Sequence, residues 1–306
     1  DGRELARTNK RMYAGGTLKF DVGERYANGV RVDAPAPVLG VTVNGSAAAT
    51  ADDGTFSWAG SAAATVVPST RGAVVDVVDA SGSAAPPPAL TVQPGGSVTW
   101  SAASDEFTDA AISAYIYGNI VKARDRLINP AVASWLDTRF TFRVNEDGSC
   151  NAYATATDVH FYRASATCQN TARLADIVFH EFGHAFHYNS FLLGGAPAAE
   201  LSEGLADFNA ANITEDPAIG RGFFYTDEPD RDIDPPGREF VYPQDVVNAD
   251  VHQTGLIIGG ALWDLRTALV RELGHAAGVT ATEKVFSGIL QRAADIPSTY
   301  MAALVA

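Results

Sequence analysis

The sequence predicts an α+β protein built from two lobes, a β-rich N-terminal lobe and an α-helical C-terminal lobe. Short strand-like runs separated by turn signals fill residues 1–100, whereas apolar residues recur at helical spacing from Asp105 onwards. The chain has 306 residues, 46% of them hydrophobic, which is enough to bury a full core. We therefore expect a β-rich module over residues 1–100 and a second domain over residues 101–306.

The composition excludes several kinds of partner. With a net charge of -14 and a pI of about 4.7, the chain is too acidic to favour binding to nucleic acid. It contains no apolar run long enough to predict a membrane span. A sequence rich in Ala, Gly, Ser and Thr with only 2 Met is typical of a secreted bacterial protein. Separately, we expect the protein to be a monomer. Because an initiator methionine and a signal peptide are both lacking, we expect a mature or trimmed chain.

Residues 1–100 are predicted to be all-β and to carry no chemistry of their own. The runs with strand-like composition between turn signals are residues 17–22, 38–43, 55–58, 73–78 and 97–100. The segment SGSAAPPP, residues 81–88, has the composition of a linker or a long loop. This part of the chain is either a separate β-sandwich or an elaborated β lobe, with a structural or propeptide-like role.

From Asp105 the pattern becomes mainly helical. Apolar residues in the segment 105–127 share one helical stripe: Ile112, Tyr115, Ile116, Ile120 and Val121. The later predicted elements are a strand over residues 138–144 and helices over residues 173–189 (approximately), 198–211 and 281–306.

The sequence H-E-F-G-H in the helix over residues 173–189 indicates a metal site. His180 and His184 are four residues apart, so on a helix both imidazoles face one point. Two neutral imidazoles in this arrangement supply two ligands of a tetrahedral zinc site. Glu181 lies beside the first ligand, where its carboxylate can take a proton from a water molecule at the metal.

A third ligand is predicted on the following helix. Glu203 follows His184 by 19 residues, in the sequence S-E-G-L-A-D, and we expect it to complete the set of protein ligands. Asp207, one turn later, could accept the N–H of a ligating histidine. Two alternatives lie close by: Glu200 could exchange roles with Glu203, and His187 shares a face with His184. We interpret His187 as a packed or supporting residue, because three ligands on one helix would crowd the metal.

With these motifs in place, the chain resembles the gluzincin peptidases of the thermolysin and fungalysin type. The resemblance rests on H-E-F-G-H, S-E-G-L-A-D and D-V-H-Q-T-G, and it covers about residues 105–306. It implies a two-lobed fold in which the helix with both histidines crosses the cleft, one catalytic zinc ion and a peptide or protein substrate. The three-histidine motif H-E-x-x-H-x-x-G-x-x-H is absent, because His187 and Ser190 stand at its last two defined positions.

The resemblance also implies residues that bind substrate. Asn151, Ala152 and Tyr153 match an edge strand about thirty residues before the first zinc histidine, where an extended substrate adds to the sheet. Arg231 matches an arginine that supports a zinc-ligand carboxylate and the substrate carbonyl. His252 matches a histidine that opens a helix and donates a hydrogen bond to the oxyanion of the tetrahedral intermediate. Its orienting carboxylate is left open, because the sequence offers both Asp250 and Asp245.

Two further features concern stability. Cys150 and Cys168 are the two cysteines, and an even count in an extracellular enzyme predicts one disulfide. The acidic, Pro-rich segment YTDEPDRDIDPPG, residues 225–237, either binds calcium through carboxylate oxygens or is a solvated loop. We interpret His160 and His275 as structural residues.

The sequence therefore predicts a zinc-dependent endopeptidase that acts on extracellular proteins. Glu181 serves as the general base and His252 as the oxyanion donor, with the ligands described above. Two other classes remain as alternatives. An exopeptidase on the same site needs an acidic anchor for a free amine, and the motif G-x-M-E-N is absent. A non-catalytic binding protein with a relic zinc site would have no need of Glu181.

Overall fold

A computed structural model describes residues 12–306, so the first eleven residues of the predicted N-terminal module lie outside the described residues. Within that range, nine strands come before the first helix, and five of seven helices follow residue 174. The predicted α+β class, with a β-rich N-terminal part and a helical C-terminal part, is therefore confirmed.

The N-terminal strands include all five runs that the sequence predicts. They are β1 (Tyr13–Gly23), β2 (Arg31–Pro35), β3 (Leu39–Val43), β4 (Ser46–Ala49), β5 (Thr55–Ala59), β6 (Ala64–Gly72), β7 (Val75–Asp79), β8 (Leu90–Val92) and β9 (Ser97–Ser101). The strands without a predicted run are β2, β4, β6 and β8. The side chains of β4 are small and all four residues are exposed, so this strand shows no alternation that a pattern could detect.

The later strands and the helices follow the predicted order. The strands are β10 (Phe140–Glu146), β11 (Ala152–Ala154), β12 (Asp158–Tyr162), β13 (Ala218–Ile219) and β14 (Arg231–Asp232). The helices are α1 (Glu106–Ile128), α2 (Ala133–Leu136), α3 (Ala175–Ser190), α4 (Ala199–Thr214), α5 (Val251–Leu273), α6 (His275–Arg292) and α7 (Thr299–Leu304). None of the helices in this part of the chain is long and apolar enough to cross a membrane.

The largest sheet joins the N-terminal strands to the strands that precede the H-E-F-G-H segment. Its main strand order is β11-β12-β10-β7-β6-β3-β4, and β8 pairs with β6. Strand β10 runs parallel to both β7 and β12, whereas β11 is antiparallel to β12. Strand β11 therefore lies at one end of the sheet, where a further strand could add. A second sheet contains β1, β2, β5 and β9.

Aromatic packing holds the helix with both histidines against this sheet. The ring of Phe182 in α3 stacks on Phe142 of β10 with 5.9 Å between centroids, and it meets Phe140 edge to face at 5.2 Å. Helix α1 packs on the same strand, because Gly118 leaves room for the Phe142 ring; an added Cβ would lie 2.8 Å from it. Burial of these rings fixes the position of α3 relative to the sheet edge.

Ion pairs between partly buried arginines and buried carboxylates connect the first hundred residues to the helical part. Arg25 Nη2 lies 2.7 Å from Asp176 in the first turn of α3. Fully buried Asp109 in α1 accepts from Arg31 and from Arg173, both at 2.7 Å. Together with the pairing of β7 and β10, these contacts favour an elaborated β lobe over a separate β-sandwich as the interpretation of the N-terminal module. We propose that residues 1–100 are an elaborated β lobe that does not fold separately from residues 101–306.

Expression of residues 101–306 alone tests this proposal. Without Arg25 and Arg31, Asp176 and Asp109 would each lose a charged partner, and removing one partner of a buried pair typically costs about 3–5 kcal/mol. We expect the fragment to lack a cooperative thermal transition by circular dichroism, while the whole chain shows one. A fragment that melts cooperatively would contradict the proposal.

The buried carboxyl of Asp125 predicts an unusual dependence of stability on pH. Asp125 belongs to α1 and is fully buried. Burial raises its pKa well above the usual range, although the amide of Asn209 opposes this shift. The folded state favours the protonated form of Asp125. The contribution of this group to the free energy of unfolding is therefore greatest below its unfolded pKa of about 4, and it is lost as pH rises through the folded pKa.

Asp125→Asn is therefore expected to stabilise the protein at pH 8 by roughly 1–3 kcal/mol, the usual cost of a poorly partnered buried polar group. It should also flatten the decline of the melting temperature between pH 4 and pH 8. The measurement is the melting temperature of the wild type and of Asp125→Asn at several pH values between 4 and 8. Asp147→Asn, at an exposed side chain, is the matched control. A destabilised Asp125→Asn protein at pH 8 would contradict the prediction.

Candidate active site

Two buried imidazoles on α3 present one nitrogen each to a common point. The Nε2 atoms of His180 and His184 lie 3.1 Å apart. The outer nitrogens are both occupied: Nδ1 of His180 is 2.7 Å from Asp207 Oδ1, and Nδ1 of His184 is 2.8 Å from Ser202 Oγ. Because these outer contacts fix the orientation of each ring, the two Nε2 atoms are left to bind a metal ion.

Glu203 of α4 brings a carboxylate oxygen to the same point. Its Oε2 atom lies 3.2 Å from His180 Nε2 and 3.5 Å from His184 Nε2. This oxygen is buried and forms no hydrogen bond within the described part of the chain. The three ligand atoms all lie within 4.8 Å of one another, so the group could hold a metal ion.

Close helix crossings make this convergence possible. Helix α4 meets α3 where Gly183 faces Ala206, and a Cβ at Gly183 would lie 3.1 Å from the Ala206 backbone. Helix α4 meets α5 where Gly204 faces Gly255, and a Cβ at Gly204 would lie 2.1 Å from the Gly255 carbonyl oxygen. The residue before this second crossing is Glu203, so the glycine contact sets the position of the carboxylate.

The charges around the three ligand atoms favour a cation. Burial opposes a charge on His180, but the carboxylates of Asp207, Glu203 and Glu181 together outweigh it and raise the pKa of His180 to about 10. Burial likewise opposes ionisation of Glu203, yet the proximity of His180 and His184 holds its pKa below the usual range. Burial raises the pKa of Glu181, and the neighbouring histidines oppose that rise.

Arg231 supports the site from behind His180. Its Nε and Nη2 atoms donate to the two oxygens of Asp207 at 3.0 and 2.8 Å, and Nη1 donates to Asp230 at 2.7 Å. The pairing of Ile219 with Arg231 between β13 and β14 places this arginine. Its hydrogen bonds therefore go to the carboxylate that orients a histidine, and none goes to Glu203.

His252 approaches the ligand group from the start of α5. The side chain of Asp250 caps this helix by accepting from the N–H groups of His252 and Gln253, both at 3.1 Å. His252 is 49% exposed, and its Nε2 atom lies 3.4 Å from Glu203 Oε2. Of the two carboxylates that the sequence offers as its partner, Asp250 is the nearer, 3.7 Å from Nδ1. Asp245 instead accepts from the Val241 N–H.

The predicted substrate-binding segment forms one wall of a cleft beside the ligand group. The cleft has a volume of about 580 Å³ and contains Asn151, Ala152 and Tyr153 as well as Glu181 and His252. Ala152 pairs with Phe161 and Tyr153 with His160 across β11 and β12. All the predicted catalytic, ligand and substrate-binding residues therefore lie at one cleft, with Asp207 behind it.

The predicted disulfide is confirmed, and it lies at the end of this wall. Cys150, which precedes the edge strand and lines the cleft, is bonded to Cys168. The bond joins the start of β11 to the segment that leads into α3, so it restrains the wall of the cleft.

Replacement of both cysteines by serine is expected to lower stability by about 3 kcal/mol, the entropic effect of a closed loop of this length. The measurement is denaturant unfolding of the double variant and of the wild type, each with and without reductant. Reductant should destabilise only the wild type. A wild type with reduced cysteines and unchanged stability would contradict the prediction.

Several residues near the motif lie away from the ligand group. His187 is fully buried, and burial lowers its pKa to about 3, so it is a packed neutral residue. Glu200 lies in a separate pocket with Tyr242 and Pro243, and it does not line the cleft. Among residues 12–306, no converging carboxylate group occurs in the segment 225–237, and calcium binding there stays a prediction.

Some residues of the site had no prediction from the sequence. The cleft is also lined by Ser202, Tyr188, Phe223, Phe224 and Gln253. Tyr188 is four residues after His184 on α3, and this helical spacing could have identified it. Ser202 immediately precedes Glu203, but a serine at that position carries no signal by itself. Phe223 and Phe224 come from a loop whose path the sequence pattern does not specify.

Comparisons with known proteins show the fold. No protein-family model matches the chain, and no curated protein matches it. Its structure is similar to that of the precursor of protealysin, a metalloproteinase from Serratia proteamaculans, with a TM-score of 0.57 and 16% sequence identity. The match covers 78% of this chain and 82% of the other. The predicted two-lobed fold is therefore confirmed.

Proposed function

We propose that the protein is a zinc-dependent endopeptidase that hydrolyses internal peptide bonds of extracellular proteins. One observation carries this proposal. The ligand atoms of His180, His184 and Glu203 converge in a cleft that also contains the Glu181 carboxyl group and an open sheet edge.

The ligand atoms fit zinc. Two imidazole nitrogens and one carboxylate oxygen form a usual catalytic zinc set, which leaves a fourth position for the reaction. The buried Glu203 oxygen without a hydrogen bond within residues 12–306 supports this assignment, because it would otherwise be an uncompensated polar atom. When bound, zinc would polarise the scissile carbonyl and make a water molecule acidic enough to attack near neutral pH.

The other steps of the proposed reaction would be carried out by side chains and backbone around the cleft. Glu181 takes a proton from the attacking water and passes it to the leaving amine. His252, half-exposed in the cleft, donates from Nε2 to the oxygen on which charge develops, an effect worth a few kcal/mol. Asp207 and Arg231 hold His180 in orientation. The main chain of an extended substrate adds to β11 beside Asn151 and Ala152.

The test combines metal analysis with peptide cleavage. Elemental analysis of the purified chain should find one zinc ion per molecule. The protein should cleave casein and a peptide blocked at both ends, 1,10-phenanthroline should stop cleavage, and added zinc should restore it. The isomer 1,7-phenanthroline, which does not chelate, is the control. Absence of bound zinc would overturn the proposal, whereas cleavage only from free termini would favour the exopeptidase.

We also propose that the enzyme acts outside the cell as a monomer on peptide or protein substrates. A disulfide is most common in oxidising compartments, which supports this location. Light scattering after gel filtration should give the mass of one chain, 32.2 kDa. A mass of two chains or more would contradict the monomer.

A further inference from the structure

We propose that His160 is a positioning residue that holds the ring of Tyr153 against the cleft wall, so that it acts on substrate binding through Tyr153. The sequence indicates only a structural role for this histidine. The effect on substrate rests on the proposed peptidase function, whereas the effect on the Tyr153 ring does not.

The two rings form a close parallel stack across the strands at the sheet edge. Tyr153 of β11 lies directly opposite His160 of β12 in the antiparallel register. Their ring centroids are 4.2 Å apart and the ring planes differ by 9°. Tyr153 lines the cleft and is 40% exposed, whereas His160 is 9% exposed and lies outside the cleft lining. One face of the tyrosine ring therefore lies on the imidazole, and the exposed part of the side chain lines the cleft.

The imidazole itself is fixed at both nitrogens. Nδ1 of His160 lies 2.7 Å from Glu146 Oε1 on β10, and Nε2 lies 3.2 Å from Asp158 Oδ1 on β12. Asp158 is held in turn by Arg143 and Thr155. Because both ring nitrogens contact carboxylates, the imidazole cannot rotate without losing a contact. It is therefore a rigid platform for the tyrosine ring.

This platform matters because β11 is short, and the other aromatic neighbour of Tyr153 is Tyr162, which meets it edge to face with 6.2 Å between centroids. Strand β11 contains three residues and pairs only with β12 within the described chain. Side chains alternate along a strand, so Ala152 points into the core and Tyr153 points to the opposite face. A substrate that adds to this edge would place a side chain against the tyrosine. Fixing its ring before binding removes an entropy cost that the substrate would otherwise bear.

A double-mutant cycle tests whether His160 acts through Tyr153. His160→Gln should raise KM for a blocked peptide roughly three- to tenfold, the effect of ordering one large side chain, with kcat changed less than about twofold. In the Tyr153→Ala background the same change should have almost no further effect. His160→Phe, which keeps a flat ring, should recover part of the lost binding. His275→Gln, the same substitution at an exposed histidine, should leave KM unchanged.

Additive effects in the cycle, or a fall in kcat without a change in KM, would overturn the inference. A second measurement does not depend on cleavage. In protein with 13C-labelled tyrosine, the Tyr153 ring signal is identified by its loss in Tyr153→Phe. This signal should move in His160→Gln and stay in place in His275→Gln.

The two measurements separate the two proposals. If the Tyr153 signal responds as expected but the wild type cleaves no peptide, the positioning of Tyr153 stands and the peptidase proposal fails. If the wild type cleaves peptide and the signal is the same in His160→Gln, the positioning role is wrong. Should His160→Gln fail to fold, Glu146→Ala removes one of the two contacts of the imidazole and should shift the same signal.

Discussion

Replacement of Glu181 by glutamine is expected to reduce peptide cleavage about 10³-fold while zinc stays bound. Glu181 lines the cleft next to His180, but it does not belong to the converging ligand group. Glutamine has nearly the same shape as glutamate and cannot accept the proton of the attacking water. The change should therefore lower kcat without removing the metal ligands.

The measurement pairs cleavage of a blocked peptide with elemental analysis of the same protein sample. Glu200→Gln is the matched control, since Glu200 lies on α4 outside the cleft. It should retain wild-type activity and zinc. A Glu181→Gln protein that keeps more than about a tenth of wild-type activity would exclude Glu181 as the general base.

The second large effect is expected from Gly204→Ala at the crossing of α4 and α5. Helix propensity alone predicts that alanine stabilises a helix by about 1 kcal/mol relative to glycine. Here the added carbon would lie 2.1 Å from the backbone oxygen of Gly255, so the helices must move apart. Overpacking of this kind costs about 1–3 kcal/mol, which outweighs the propensity. The movement displaces Glu203, and a misplaced group at a reaction centre can cost about 100-fold in rate.

The melting temperature, the zinc content and the rate of peptide cleavage should therefore all be lower in Gly204→Ala than in the wild type. Gly259→Ala is a graded control on the facing helix, because its added carbon would come no closer than 3.1 Å to its nearest neighbour, a side-chain carbon of Ile233. It should change stability and activity much less. A Gly204→Ala protein with raised stability would show that the helices tolerate the added carbon.

The parts of the site that depend on local spacing could be predicted from the sequence. His180 and His184 face one point because they are four residues apart on one helix, and this needs no knowledge of the rest of the fold. The motif S-E-G-L-A-D predicts Glu203 as the third ligand, but its distance from the histidines depends on the crossings of α4 with α3 at Gly183 and with α5 at Gly204, which no local pattern reveals. The hydroxyl of Ser202 contacts His184 for the same reason, and it had no prediction.

The pairing of the strands, like the position of Glu203, could not be predicted from local sequence patterns. The sequence predicts strands over residues 73–78 and 138–144, but it does not show that they are parallel neighbours in one sheet. That pairing decides whether the first hundred residues form a separate module or part of the β lobe. It depends on long-range contacts, such as the packing of Phe142 under α1 and α3, that the sequence pattern does not encode.

The parallel pairing of β7 with β10 also sets an order of assembly. Parallel neighbours cannot be joined by a tight turn, so α1 must cross over before β10 can dock. In the sheet, β12 lies beyond β10 and β11 lies at the end, so this edge depends on the pairing of β10. Contacts between distant segments form slowly, so we expect the proposed substrate-binding edge at β11 to be among the last parts to form. In a refolding time course, peptide cleavage should follow formation of the sheet and never precede it. A chain still on the ribosome would thus lack the completed cleft, and the proposed peptidase activity would begin only after the chain is released.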